Sequence, residues 1–163
     1  VRQHIHANGS ATTIDAVGPG GAVPLSEGTD SGAGYAADDA LICMCPAPPL
    51  TAAVDAGAPA AGQVMGLHRA ALERVERFSD ARSRAGALAR VAAVLCALAD
   101  TLSPPRRLDV IPAALQQRDL AALLAMRHES VCRVYTALAR RNAIRRTPDG
   151  TEIVDRPMLE ALP

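Results

Sequence analysis

The chain has 163 residues, enough for one or two small domains with an apolar core, and its net charge is zero, with 17 basic residues (all arginine) against 17 carboxylates. One phenylalanine, two tyrosines and no tryptophan leave little π surface for stacking on unpaired bases, which argues against a binder of single strands or RNA. No apolar run is long enough for a membrane helix, none follows residues 1–4 as in a secretory leader, and four cysteines without framework spacing point to a reducing, cytoplasmic setting.

Residues 1–50 hold short β-like runs, residues 11–14 and 40–45, between glycine-rich turns. That pattern predicts a small antiparallel sheet or roll. Residues 46–62 are rich in proline and alanine and are expected to connect the roll to the helices after it. A long helix is predicted over residues 63–84, with Val64, Leu67, Ala71, Val75 and Phe78 along one stripe. Such a stripe serves either as a seam with a partner helix or as the side packed on its own domain, and the seam is favoured. After a break at Gly86, residues 88–102 form a second, strongly apolar helix that stops at Ser103-Pro104-Pro105. No internal repeat is visible.

The segment from Gln117 to Asp155 carries most of the information. Leu120, Leu123 and Leu124 recur at three- and four-residue steps, and Asp119 sits in the first turn, where it complements the helix dipole. The pattern then restarts. Val131, Val134, Tyr135 and Leu138 predict a second amphipathic helix over residues 127–141. Its other face carries Arg127, His128, Glu129, Cys132 and Arg133. A glutamate accepts from cytosine N4 and an arginine binds guanine O6 and N7 with both arms, so Glu129 and Arg133, one turn apart, suit adjacent base pairs. Taken alone, the same two residues would more often form an ordinary surface ion pair; their setting favours reading.

Arg140, Arg141 and Asn142 close this helix, the asparagine being suited to a left-handed cap. Residues 144–146 lead through Pro148-Asp149-Gly150 into residues 151–154, which predicts a β-hairpin. Arg127, Arg140, Arg141, Arg145 and Arg146 are candidates for phosphate contact, which positions a protein without reading sequence. Asp155 followed by Pro157 marks the start of a short last helix. Residues 1–65 carry one arginine against six acids, whereas residues 104–163 carry ten against seven, so the cationic surface lies with the helix-turn-helix. Double-stranded DNA is the expected partner.

In this order of elements, and most specifically in RDLAALL…HESVCR…LARRNAIRR, the chain resembles the CRP/FNR family of bacterial transcription regulators; Arg90-Val91-Ala92 is similar to the family's linking helix, and Pro19-Gly20, Val23 and residues 40–43 to the second half of its sensory roll. The resemblance implies an α+β chain: a partial antiparallel β-roll over residues 1–62 (cyclic-nucleotide-binding-like), dimerisation and linking helices over 63–103, and a winged helix-turn-helix over 104–163. It implies a homodimer joined by the long helix, a palindrome with TGA in each half-site, within TTGAT or TGTGA, and contact with RNA polymerase. By position, Glu129 and Arg133 match the family's base-reading pair, with His128 beside them and Cys132 at the small residue between.

The family's roll begins upstream of what Val1 matches, so the first several strands are expected to be missing. Where cAMP-binding members carry an acid and an Arg-Ser pair, this chain has Gly21 and Asp30-Ser31; a carboxylate would repel a phosphate, so cAMP is not an expected ligand. Ala125 stands where the family often has glycine, and a left-handed backbone there would cost about 1 kcal/mol. Cys43 matches one ligand of the 4Fe–4S cluster of oxygen-sensing members, whose other ligands would lie outside this chain. The rival reading is a redox or small-molecule sensor, using Cys43 and Cys45 for iron–sulfur or metal binding, with weak or lost DNA output. An enzyme is not expected: there is no phosphate loop, zinc-protease motif or nucleophile elbow.

Overall fold

A computed structural model describes residues 1–23, 32–57, 61–103 and 109–162. The expectations for Asp30-Ser31 and Pro104-Pro105 lie outside the described residues. Strands β1 (Arg2–Ile5), β2 (Ala11–Asp15) and β3 (Gly32–Gly34) form an antiparallel sheet in the order β2-β1-β3. Its inner face is partly polar. Asp15 is fully buried and accepts from Arg2 Nε at 3.0 Å and from Arg74 Nε at 2.8 Å, so a carboxylate that would be costly alone is held by two guanidinium groups.

Helix α1 (Ala47–Asp55) occupies much of the stretch expected to be a connector. Its prolines fall in the first turn, where no amide hydrogen is needed for the helix ladder. The expected strand over residues 40–45 is not formed. This stretch is irregular and open, with Leu41 96 % and Met44 81 % exposed, and Cys43 and Cys45 exposed beside them. A strand needs a neighbour to take its backbone hydrogen bonds, and among the described residues none lies beside it.

Helix α2 (Ala61–Ser83) and the almost wholly buried α3 (Ala87–Leu102) pack on each other, separated by Gly86 at φ 81°. Val91, Val94, Leu95 and Leu98 have no exposed surface, as expected of a helix that is apolar all round. Gly18 crosses the end of α3 so closely that a Cβ there would lie 1.9 Å from the Thr101 carbonyl oxygen. The placement of α2 corrects the predicted stripe. Ala71 and Phe78 are buried within the chain, with Arg74 and Ala81, while Val64 and Val75 are half-buried and Leu67 is exposed. The helix is rotated by the pull of Arg74 toward Asp15, which brings Phe78, one turn on, into the core.

Strand β4 (Val110–Pro112) precedes helices α4 (Gln117–Leu124) and α5 (His128–Arg140); strands β5 (Ile144–Thr147) and β6 (Gly150–Ile153) and helix α6 (Arg156–Glu160) complete the chain. The predicted hairpin is present and gains a third strand, in the order β4-β6-β5. Gly150 lies against β4, where a Cβ would fall 1.9 Å from the Ile111 carbonyl oxygen, and its φ of 142° also disfavours any other residue. Asp155 caps α6 by accepting from the Met158 amide at 2.9 Å. One apolar cluster runs from Ala16 and Phe78 through α3 to Leu120, Leu138 and Leu159.

Because Phe78 is 1 % exposed, Phe78→Ala is expected to destabilise the fold by about 3–5 kcal/mol. A urea midpoint equal to that of the parent would contradict its inward placement.

Candidate nucleic-acid interface

The site is built on α4 and α5. Helix α4 starts where the Asp119 carboxylate accepts from the Gln116 amide at 2.8 Å, and it ends at Ala125, which adopts the left-handed conformation (φ 49°, ψ 42°). The Met126 amide then bonds back to the Ala121 carbonyl at 2.9 Å, turning the chain into α5. Leu120, Ala121, Leu123 and Leu124 point inward, as the periodicity predicts.

Helix α5 buries Val131, Tyr135 and Leu138 and leaves Val134 half-buried. The opposite face presents Arg127, His128, Glu129, Arg133 and Arg140, all exposed, with Cys132 half-buried among them. The surface ion pair that competes with base reading is not formed: Arg133 donates to Ser130 Oγ at 3.4 Å, and Glu129 has no side-chain partner among the described residues. Cys132 is enclosed because its thiol donates to Gln117 Oε1 at 2.9 Å, with His128 Nε2 at 3.5 Å. Gln117 thus ties the start of α4 to the middle of α5, a role that leaves no mark in the hydrophobic pattern.

The wing is fixed to α5 by Tyr135, whose hydroxyl donates to Thr151 Oγ1 at 2.9 Å and whose ring lies 5.7 Å from the Arg146 guanidinium carbon. Burial pushes the Tyr135 phenol up from its ordinary pKa, so it remains a donor. Between helix and wing lies an open groove of about 410 Å³ lined by Tyr135, Thr136, Ala139, Arg140 and Arg146. Arg145 points to the other face of the hairpin, 3.7 Å from Glu152. Arg141 is exposed at the end of α5, and Asn142 takes the left-handed conformation (φ 56°) that lets the chain enter β5.

Two further contacts join the amino-terminal sheet to α4, and neither Tyr35 nor Arg82 is singled out by any sequence pattern. Tyr35 donates to Asp119 Oδ1 at 2.9 Å, and burial, then this hydrogen bond, push its phenol up to about 12. Arg82 Nη1 donates to the Thr13 and Ile14 carbonyls at 3.0 and 3.1 Å and reaches the Leu123 carbonyl at 3.5 Å. Burial lowers the Arg82 pKa from its ordinary value.

The cysteine and dimer candidates are not gathered into the site. Among the described residues no group of three or more histidine, cysteine or acidic side chains is placed to hold a metal, and Cys43 is exposed in the irregular stretch. Of the predicted dimer stripe, Ala71 and Phe78 face the chain's own core. The outward face of α2 instead carries Met65 and Leu72, 59 % and 54 % exposed, over a shallow groove of about 520 Å³ shared with Gly62, Gly66, His68 and Arg69.

Two short helices joined by a tight turn, the second outward-facing and followed by a three-stranded wing, define a DNA-binding winged helix-turn-helix. Residues 89–162 match the Crp-like helix-turn-helix domain. The fold is similar to that of FixK2 from Bradyrhizobium japonicum, at TM-score 0.55 and 19 % identity, covering 70 % of this chain and 56 % of that one. It is similar also to a CRP-family transcriptional regulator from Thermus thermophilus, at TM-score 0.61 and 20 % identity, covering 98 % of this chain and 80 % of that one. Thus the chain spans little more than half the length of FixK2. Curated protein sequences give no match. Residues 89–162 thus carry a Crp-like helix-turn-helix domain, in a chain whose fold is similar to that of these two proteins. No described helix is long and apolar enough to cross a membrane.

Proposed function

We propose that this protein binds a palindromic, TGA-containing DNA site as a homodimer and regulates transcription there, with RNA polymerase as its partner. The observation that carries the reading is the mutually unpaired Glu129 and Arg133 on the outward face of α5. Removing an ion pair from that face leaves a carboxylate and a guanidinium free for base edges, the acceptor and donor set suited to cytosine N4 and guanine O6 and N7. His128 and Cys132 flank them. Arg127, Arg140, Arg141 and Arg146 are assigned to phosphates, and Arg145 joins them by leaving a 3.7 Å, half-exposed pairing with Glu152 that is worth little in water.

In this scheme residues 1–62 serve as the sensory part, 63–103 as dimerisation and linking helices, and 104–163 as the DNA-binding part. The dimer seam is assigned to the outward face of α2, through Met65, Leu67 and Leu72, since these remain apolar and exposed. Gly62 and Gly66, one turn apart on the same groove, let a second helix approach closely.

A labelled duplex carrying TTGAT-N4-ATCAA is expected to bind more tightly than a scrambled duplex in anisotropy titrations across a salt series. Equal binding to both would remove the sequence-reading claim. Arg133→Ala is expected to abolish the preference. By contrast, Arg145→Ala should weaken both duplexes alike and reduce the salt slope by about one. Leu72→Glu is expected to shift the sedimentation coefficient toward the monomer, and an unchanged value would sink the assigned seam.

A further inference from the structure

Helix α4 lies between two bodies. Gln117, Leu120, Ala121 and Leu124 form one side of the helix, and Gln117 reaches Cys132 of α5 from it. Asp119 and Leu123, one turn apart, lie on the other side, and each meets a group tied to the amino-terminal sheet: Tyr35 at 2.9 Å and Arg82 at 3.5 Å. Tyr35 is itself fixed to the sheet. Its amide donates to the Val1 carbonyl at 3.0 Å and its carbonyl accepts from the Val1 nitrogen at 2.8 Å, which extends the pairing of β1 with β3 by one step. Arg82 holds the opposite strand through the Thr13 and Ile14 carbonyls.

We propose that Tyr35, on the sheet, is a positioning residue for DNA reading: its hydrogen bond to Asp119 orients α4, and the Gln117–Cys132 contact passes that orientation to the base-facing row of α5. The inference rests on the DNA-reading assignment above. Asp119 uses both carboxylate oxygens, one for the Gln116 amide that starts α4 and one for Tyr35, so the sheet contacts the group that fixes the first turn. A displacement of the sheet therefore acts on the carboxylate that starts α4. Arg82, bound to the sheet and to the far end of α4, makes the second point of attachment. With the α4 position set at both ends, and Cys132 held to it through Gln117, Glu129 and Arg133 face outward in one register relative to the wing.

The test is Tyr35→Phe in the full chain, which removes one hydroxyl and keeps the ring. Hydrogen exchange followed by mass spectrometry is expected to show amides of α4 and the first turns of α5 exchanging about threefold to tenfold faster, the size of one lost net hydrogen bond. The amides of α3 should be unchanged. Unaltered exchange in α4 and α5 would overturn the proposal, and so would an equal rise that includes α3, because that is a loss of global stability. On DNA, the same variant is expected to lose about threefold to tenfold in affinity for the palindrome and nothing for the scrambled duplex; equal losses on both would also overturn it. Should the unmutated chain fail to distinguish the two duplexes, the reading assignment fails, and the exchange experiment decides the coupling of Tyr35 to α5 by itself.

Discussion

The structure depends on the enclosure of α3. A sixteen-residue helix with apolar side chains on every face is stable only when covered on every face, and both helices of the helix-turn-helix are among its neighbours. Helix α2 covers one side, α4 and α5 another, and α6 and β4 the rest. Helix α5 is therefore anchored through Val131, Tyr135 and Leu138 to the core that also holds the long helix, so its outward residues project from a fixed base. A site on a rigid helix holds its side chains to a tighter geometry than a site on a loop.

Polar groups complete what apolar packing leaves undetermined. Apolar burial is non-directional, and the rotation of α2 about its axis needs a directional contact. The buried Asp15, held by Arg2 and Arg74, supplies it: only one rotation of α2 brings Arg74 to that carboxylate, and the same rotation turns Phe78 inward and Met65 and Leu72 outward. Breaking such a buried pair costs more than the pair contributes, which restrains alternative rotations. Tyr35 and Arg82 do the same for α4, with hydrogen bonds where side-chain packing alone would allow it to slide.

How much of this is legible in the sequence depends on the range of the forces involved. Helices α4 and α5 and the hairpin rest on local signals, namely three- and four-residue apolar steps, a first-turn acid and a Pro-Asp-Gly turn, and they are readable with ends within one residue for α5. The left-handed Asn142 is equally local. Strand β4 is not, since three residues ending in proline become a strand only when β6 lies beside them. Residues 40–45 show the converse, an apolar run with strand-like composition and no neighbour to pair with among the described residues. The α2 stripe fails for a third reason. Periodicity identifies an apolar face but counts arginine as polar, and here an arginine with a buried partner lies on the inward side. Gln117, Tyr35 and Arg82 act across 15, 84 and up to 69 residues of sequence, and no window of neighbouring residues contains both partners.

The zero net charge conceals a division among the arginines. Arg2, Arg74 and Arg156 are bound to carboxylates, and Arg82 to backbone carbonyls; all four lie in the frame of the molecule, at least partly buried. Arg127, Arg133, Arg140 and Arg141 lie on α5 or its ends and have no carboxylate partner among the described residues. An arginine already paired contributes little field at a distance, whereas unpaired ones on a common surface sum to a potential that attracts a polyanion and releases its counterions. Several of the acids that balance the count are engaged elsewhere: Asp15 in the sheet, Asp119 on Tyr35 and the Gln116 amide, Asp100 and Asp109 on Arg156. Glu129 differs from these, an unpaired carboxylate within the cationic surface. A charge so placed weakens attraction to any phosphate, so its presence is consistent with a role in discriminating bases and not in general affinity.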